Sequence, residues 1–176
     1  FPGTTPSAYN YSYTLAYNDA HWGWAIPLNP YVNVFHNAAG LTNIATGTIG
    51  NARVELGIKP TVSVQKQTGI PLSFTFPTWV MLAPNAYWNS GTTLCGTVVC
   101  SNSTIGTFST GIQARLALDS WVPKKLGSWY AKAGVQYYHL YNDSLLASQV
   151  IYGTATSYAT AKRDITVFSG GVGFSF

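Results

Sequence analysis

The 176 residues suffice for one ordinary domain, yet only 8% of them are charged, against roughly 25% in a typical soluble domain. The 47% of hydrophobic and 15% of aromatic residues exclude a disordered chain, and 17 Gly and 9 Pro argue against long helices. No window approaches the roughly 18 uninterrupted apolar residues of a transmembrane helix. The net charge of +4 is spread thinly, with Lys124-Lys125 and Lys162-Arg163 the only adjacent pairs, so the chain carries no nucleic-acid footprint.

Period-two alternation is the dominant signal along the chain, in segments longer than a common soluble strand. From Tyr9 to Tyr17 the odd positions are Tyr9, Tyr11, Tyr13, Leu15 and Tyr17, and the even ones are small or polar. Residues 22 to 36 place Trp22, Trp24 and Ile26, then Val32 and Val34, on one face. Pro27 and Pro30 between them predict an irregular first half. From Ala52 to Val64 the even positions are all apolar and the odd ones read Arg53, Glu55, Gly57, Lys59, Thr61, Ser63. Residues 70 to 82 align Ile70, Leu72, Phe74, Phe76, Val80 and Leu82, and residues 107 to 118 align Phe108, Ile112, Ala114, Leu116 and Leu118. Residues 128 to 141 set Trp129, Ala131, Ala133, Val135 and Tyr137 against Ser128, Lys132, Gly134 and Gln136. Residues 163 to 176 end on Phe168, Gly170, Val172, Phe174 and Phe176. Seven strands follow.

The connections alternate in length. Residues 18 to 21, 65 to 69 and 119 to 127 are short, whereas 37 to 50, 83 to 106 and 142 to 161 are long and rich in Gly, Thr, Ser, Asn and Ala. This rhythm predicts a single all-β domain over 1 to 176: an antiparallel up-and-down transmembrane β-barrel with short periplasmic turns and long extracellular loops. Aromatic girdle positions fall at Tyr17, Trp22, Trp24, Trp121, Trp129, Phe174 and Phe176 on the short-turn side. Tyr87, Trp88, Tyr137 and Tyr141 take the other side. A secreted β-sandwich alternates too, but its outer face carries Lys, Glu, Asp and Arg, and here both faces lack charge.

Cys95 and Cys100 sit in a Gly/Thr/Ser/Asn-rich stretch with no nearby His or further Cys to complete a zinc set. A loop disulfide, and with it an oxidising compartment, is the better reading. Phe1-Pro2-Gly3 opens without the basic and apolar regions of an export signal, which would therefore lie upstream or have been removed.

The end of the chain, Val172-Gly173-Phe174-Ser175-Phe176, resembles the C-terminal signature of bacterial outer-membrane barrels, an alternating strand closing on a terminal Phe. The resemblance implies that Phe174 and Phe176 are read by the outer-membrane assembly machinery. Leu28 to Val34, Val54 to Ile58 and Trp129 to Tyr137 are similar to segments of porin-like barrels of the TorF type. In such a barrel the C-terminus is periplasmic, and counting back through seven strands puts residues 1 to 7 outside. Bacterial single-chain barrels have an even strand number. The count thus predicts that strands upstream, a partner chain, or a strand hidden within 83 to 106 or 142 to 161 completes the barrel.

Arg53, Glu55, Lys59, Gln113, Arg115, Lys132 and Gln136 fall on the polar faces. Inward charges either line a pore, where four cations against one anion favour anions, or neutralise one another, with Glu55 paired to a cation across strands. The three histidines, His21, His36 and His139, lie apart. A set of His139, Asp143 and Ser144 can be drawn on paper, but no G-x-S-x-G elbow is present. The expectation is a non-enzyme without metal or cofactor in a bacterial outer membrane, contacting lipid and acting as a passive channel or structural barrel, alone or as a homo-oligomer. A secreted, self-associating all-β structural protein is the alternative.

Overall fold

The computed structural model describes residues 9–39, 52–84, 103–123, 125, 127–143, 145–146 and 160–175. These form one antiparallel sheet curled into a half-barrel. Its segments are β1 (Tyr9–Ala16), β2 (Pro30–Ala39), β3 (Ala52–Ile58), β4 (Thr61–Ser63), β5 (Leu72–Thr75), β6 (Thr78–Leu82), β7 (Ile105–Ala117), β8 (Ser128–Leu140) and β9 (Asp164–Ser175). A single helical turn, α1 (Gln65–Thr68), joins β4 to β5. Among the described residues no helix is long and apolar enough to cross a membrane.

The nine segments make seven long strands. β3 pairs with β6 and β4 with β5, while β5 and β6 both pair with β7. Each of β3–β4 and β5–β6 is therefore one strand interrupted where Pro60 and Pro77 have no N–H to give the ladder. The alternation does not disclose these breaks, because Pro60 occupies an apolar position in register. Hydrogen bonds from Phe76 N to Pro60 O (2.9 Å) and from Gly111 N to Pro77 O (3.0 Å) carry the ladder past both gaps.

Trp22, Trp24 and Ile26 do not extend the second strand, which begins only at Pro30; residues 17 to 29 are a connection containing a 3-10 turn at Ala20–Trp22. The cause is Asp19, whose fully buried carboxylate accepts the backbone N–H of Leu28 and of Asn29, both at 2.9 Å. Gly23 (φ 74°) and Asn29 (φ 48°) turn the chain there. Tyr17 N then bonds Pro30 O at 2.9 Å and the ladder starts.

Register gives the faces. Leu15 stands opposite Val32, Val32 opposite Leu56, Leu56 opposite Val80 and Val80 opposite Phe108. Ile112 faces Val135 and Val135 faces Phe168. Since cross-strand partners share a face, one apolar stripe from each of the seven strands lies on one side, while Phe35, Trp79, Met81, Ile165 and Val167 fall on the other. The side of the stripes is open, with Leu15 76% and Phe168 80% exposed, whereas on the other Tyr31 is 6% and Ser109 0% exposed. A curled sheet splays side chains on its convex face and crowds them on its concave one. The apolar face is therefore convex and the polar face concave.

Candidate functional site: the concave polar face

Arg53, Glu55, Gln113, Arg115, Lys132 and Gln136 all point to the concave face by register, and Lys59 follows immediately after β3. They fall into separate groups. Around β3, the Glu55 carboxylate accepts a hydrogen bond from the Tyr31 hydroxyl at 2.7 Å. Lys59 Nζ sits 4.0 Å from the centre of the Tyr31 ring, and the Arg53 guanidinium 4.6 Å from that of Phe35. Among the described residues Glu55 thus has a tyrosine against it, where the sequence suggested a cation, and the cations lie on aromatic rings at distances typical of cation–π contact. Tyr31 keeps this position because it lies over Gly57, its cross-strand partner; a Cβ at Gly57 would come within 2.6 Å of the ring.

The second group is on β7 and β8. Arg115 and Lys132 are direct cross-strand partners, so two cationic side chains leave adjacent positions on one face. The Arg115 guanidinium lies 4.3 Å from the centre of the Tyr130 ring. Tyr130 in turn covers Gly173 on β9, repeating the tyrosine-over-glycine arrangement. Gln136 is tied away from both groups, donating to Ser109 Oγ at 2.6 Å, while Ser109 donates to Tyr137 O at 2.8 Å. Trp79 and Tyr138 flank Ser109 and meet edge to face at 6.0 Å.

The aromatic residues of this face, Tyr31, Phe35, Trp79, Tyr130 and Tyr138, are not singled out by periodicity, which sorts them onto the polar side and passes over them. For Tyr31 and Tyr130 the signal is a tyrosine directly opposite a glycine. That signal appears only once strands are paired.

At the end of the sheet that carries the shorter connections, Tyr17 packs against Trp22 (5.5 Å between ring centres) and Trp22 against Trp24 (5.0 Å), and the Tyr17 hydroxyl lies 3.0 Å from His21 Nε2. Trp129 stacks on Phe174 at 4.8 Å, and Trp121 is strongly exposed in the β7–β8 connection. At the opposite end His139 Nδ1 is 2.7 Å from Asp164 Oδ1, and Asp164 also accepts the Tyr137 hydroxyl. Asp143 is paired with Arg163 instead, so the paper set of His139 with Asp143 does not form, and Ser144 lies outside the described residues. Cys95, Cys100, Tyr87, Trp88 and Phe176 also lie outside them. Among the described residues no three His, Cys, Asp or Glu side chains gather in a metal-binding group. No protein-family model, no curated protein and no solved structure matches the chain.

Proposed function

We propose that the chain is a porin-like β-barrel protein of a bacterial outer membrane, acting as a passive channel or structural barrel. The observation that carries this reading is the common register of seven apolar stripes on one convex, exposed face, with the strand-borne Lys and Arg of the described residues, Arg53, Arg115 and Lys132, on the concave face. Apolar-out and polar-in alternation across long tilted strands suits lipid outside and water or packed polar groups inside. On this reading Arg53, Lys59, Arg115 and Lys132 border the lumen, Phe174 and Phe176 serve assembly, and Cys95 and Cys100 close a disulfide in an extracellular loop.

The test is extraction and mobility. The native protein should leave its membrane only with detergent and should migrate faster on a gel before boiling than after it. Correctly folded protein that leaves a planar bilayer at baseline conductance would remove the channel and keep the structural barrel. A self-associating surface protein is the second reading, favoured by the open β1 and β9 edges of the sheet among the described residues. It would be extracted by denaturant or shear without detergent.

A further inference from the structure

We infer that Arg115 and Lys132 form a binding site for a small oxyanion on the concave face; this deepens the barrel reading and rests on it for its location in a lumen. Two like charges directly opposite on one face of a sheet destabilise it, and because both side chains are exposed the pair is open to a counter-charge from outside the chain. The sequence has five acidic residues, and none supplies one. Glu55 is engaged with Tyr31 on β3, beside Arg53 and Lys59. Asp19 caps Leu28 and Asn29, Asp119 accepts the backbone N–H of Trp129 at 3.1 Å, Asp143 pairs with Arg163, and Asp164 takes His139 and Tyr137 on the convex face. Among the described residues, therefore, the neighbourhood of Arg53 and Lys59 contains its own carboxylate, and Arg115 and Lys132 have no carboxylate paired with them.

The surroundings are built to receive oxygen atoms. The row through the cation pair reads Ser63, Ser73, Arg115, Lys132, Gly171 across five strand segments, and the next row brings Thr75 and Gln113. The Ser73 hydroxyl donates to the Arg115 backbone carbonyl at 3.5 Å and the Thr75 hydroxyl is shared with Thr61 at 3.0 Å, so the exposed Gln113 amide is the polar group that flanks the charges with donors to offer. A Cβ at Gly171 would meet only Lys132 Cε, at 3.8 Å, so the space beyond the lysine is open. Arg115 is oriented before any ligand arrives, since its guanidinium rests on Tyr130 and Tyr130 rests over Gly173. A planar fork held on a ring, with a lysine at the adjacent cross-strand position, suits an anion with several oxygens, such as phosphate, sulfate or a carboxylate, better than a halide.

The experiment is equilibrium dialysis of inorganic phosphate against the detergent-folded protein at low salt, with sulfate as competitor. Saturable binding displaced by sulfate is expected. It should weaken at least tenfold in Lys132→Gln and in the double variant Arg115→Gln with Lys132→Gln. It should be unchanged in Lys66→Gln, an exposed lysine of α1 at the same end of the sheet. Lys132→Gln leaves the Arg115–Tyr130 stack in place, so it reports on the site even if the double variant does not fold. Absent or non-saturable binding in protein that keeps its heat-dependent mobility, or equal binding by Lys132→Gln, overturns the site. Phosphate binding by a chain that stays in solution without detergent keeps the site and overturns the membrane reading instead.

Discussion

The hydrogen bond from Tyr31 to Glu55 anchors the concave face, because it fixes both the carboxylate and the ring on which Lys59 rests. Tyr31→Phe keeps the ring and leaves Glu55 without its partner. Hydrogen bonds to charged groups are worth about 1.5–3 kcal/mol, and a half-buried carboxylate places the expected loss at the lower end, read as a lowered denaturant midpoint in detergent. Gly57→Ala attacks the same contact from below. Its Cβ would sit 2.6 Å from the ring, so Tyr31 must move, at an overpacking cost of about 1–3 kcal/mol. Asp19 provides the pH-dependent counterpart. Burial pushes its carboxyl up, but the amides of Asn29 and Leu28 more than offset this and hold it below the usual value of 3.8. A group depressed in the folded state contributes stability above its unfolded value and loses it as pH falls through the folded one. The connection 17–29 should therefore stay intact at neutral pH and loosen only below about 3.8. The Leu28 and Asn29 amide proton shifts should move in that range, and Asp19→Asn should abolish the movement.

Strands, unlike single residues, can be tested by comparing neighbours that point opposite ways. Ile112 and Gln113 are consecutive in β7, the first opposite Val135 on the convex face and the second opposite Gly134 on the concave face. A lysine facing lipid near the bilayer midplane costs about 2–4 kcal/mol. Ile112→Lys should therefore lose most of its folded, fast-migrating form, while Gln113→Lys should fold nearly as well as the parent. If the two variants folded equally well, the convex face would not be facing lipid. The strands themselves were legible in the sequence because a half-buried strand has a period of its own: all seven ranges lie within a few residues of the observed ones, apart from the first half of 22 to 36. There Trp22, Trp24 and Ile26 alternate by coincidence in a connection stapled by Asp19, a contact spanning ten residues that no local pattern encodes. The polar-face position of Arg115 and Lys132 was legible for the same reason as the strands. Their adjacency, and the Tyr130–Gly173 support beneath Arg115, depend on the offset between β7, β8 and β9, which is set by pairing and is invisible in any one strand.

Among the described residues the sheet has two edges, β1 and β9, and their directions restrict how it closes. β1 leads into the connection 17–29, and β9 ends beside Ser128, where β8 leaves the β7–β8 connection. Both edge strands thus run toward the same end of the sheet, as the first and seventh members of an antiparallel series must. An antiparallel closure consequently takes an odd number of additional strands. In lipid, backbone N–H and C=O groups left unpaired cost several kcal/mol each, so an inserted sheet does not keep bare edges. Hydrogen exchange in folded, lipid-reconstituted protein should therefore show the outward amides of Tyr9–Ala16 and Asp164–Ser175 protected to the same degree as those of the central strand Ile105–Ala117. Rapid exchange confined to the edges would mean an open sheet and would count against insertion. Protection identifies the source of the closing strands through its response to dilution. Edges paired with a second copy lose protection as the protein is diluted in detergent, because dissociation is concentration-dependent, whereas edges paired with strands of the same polypeptide do not.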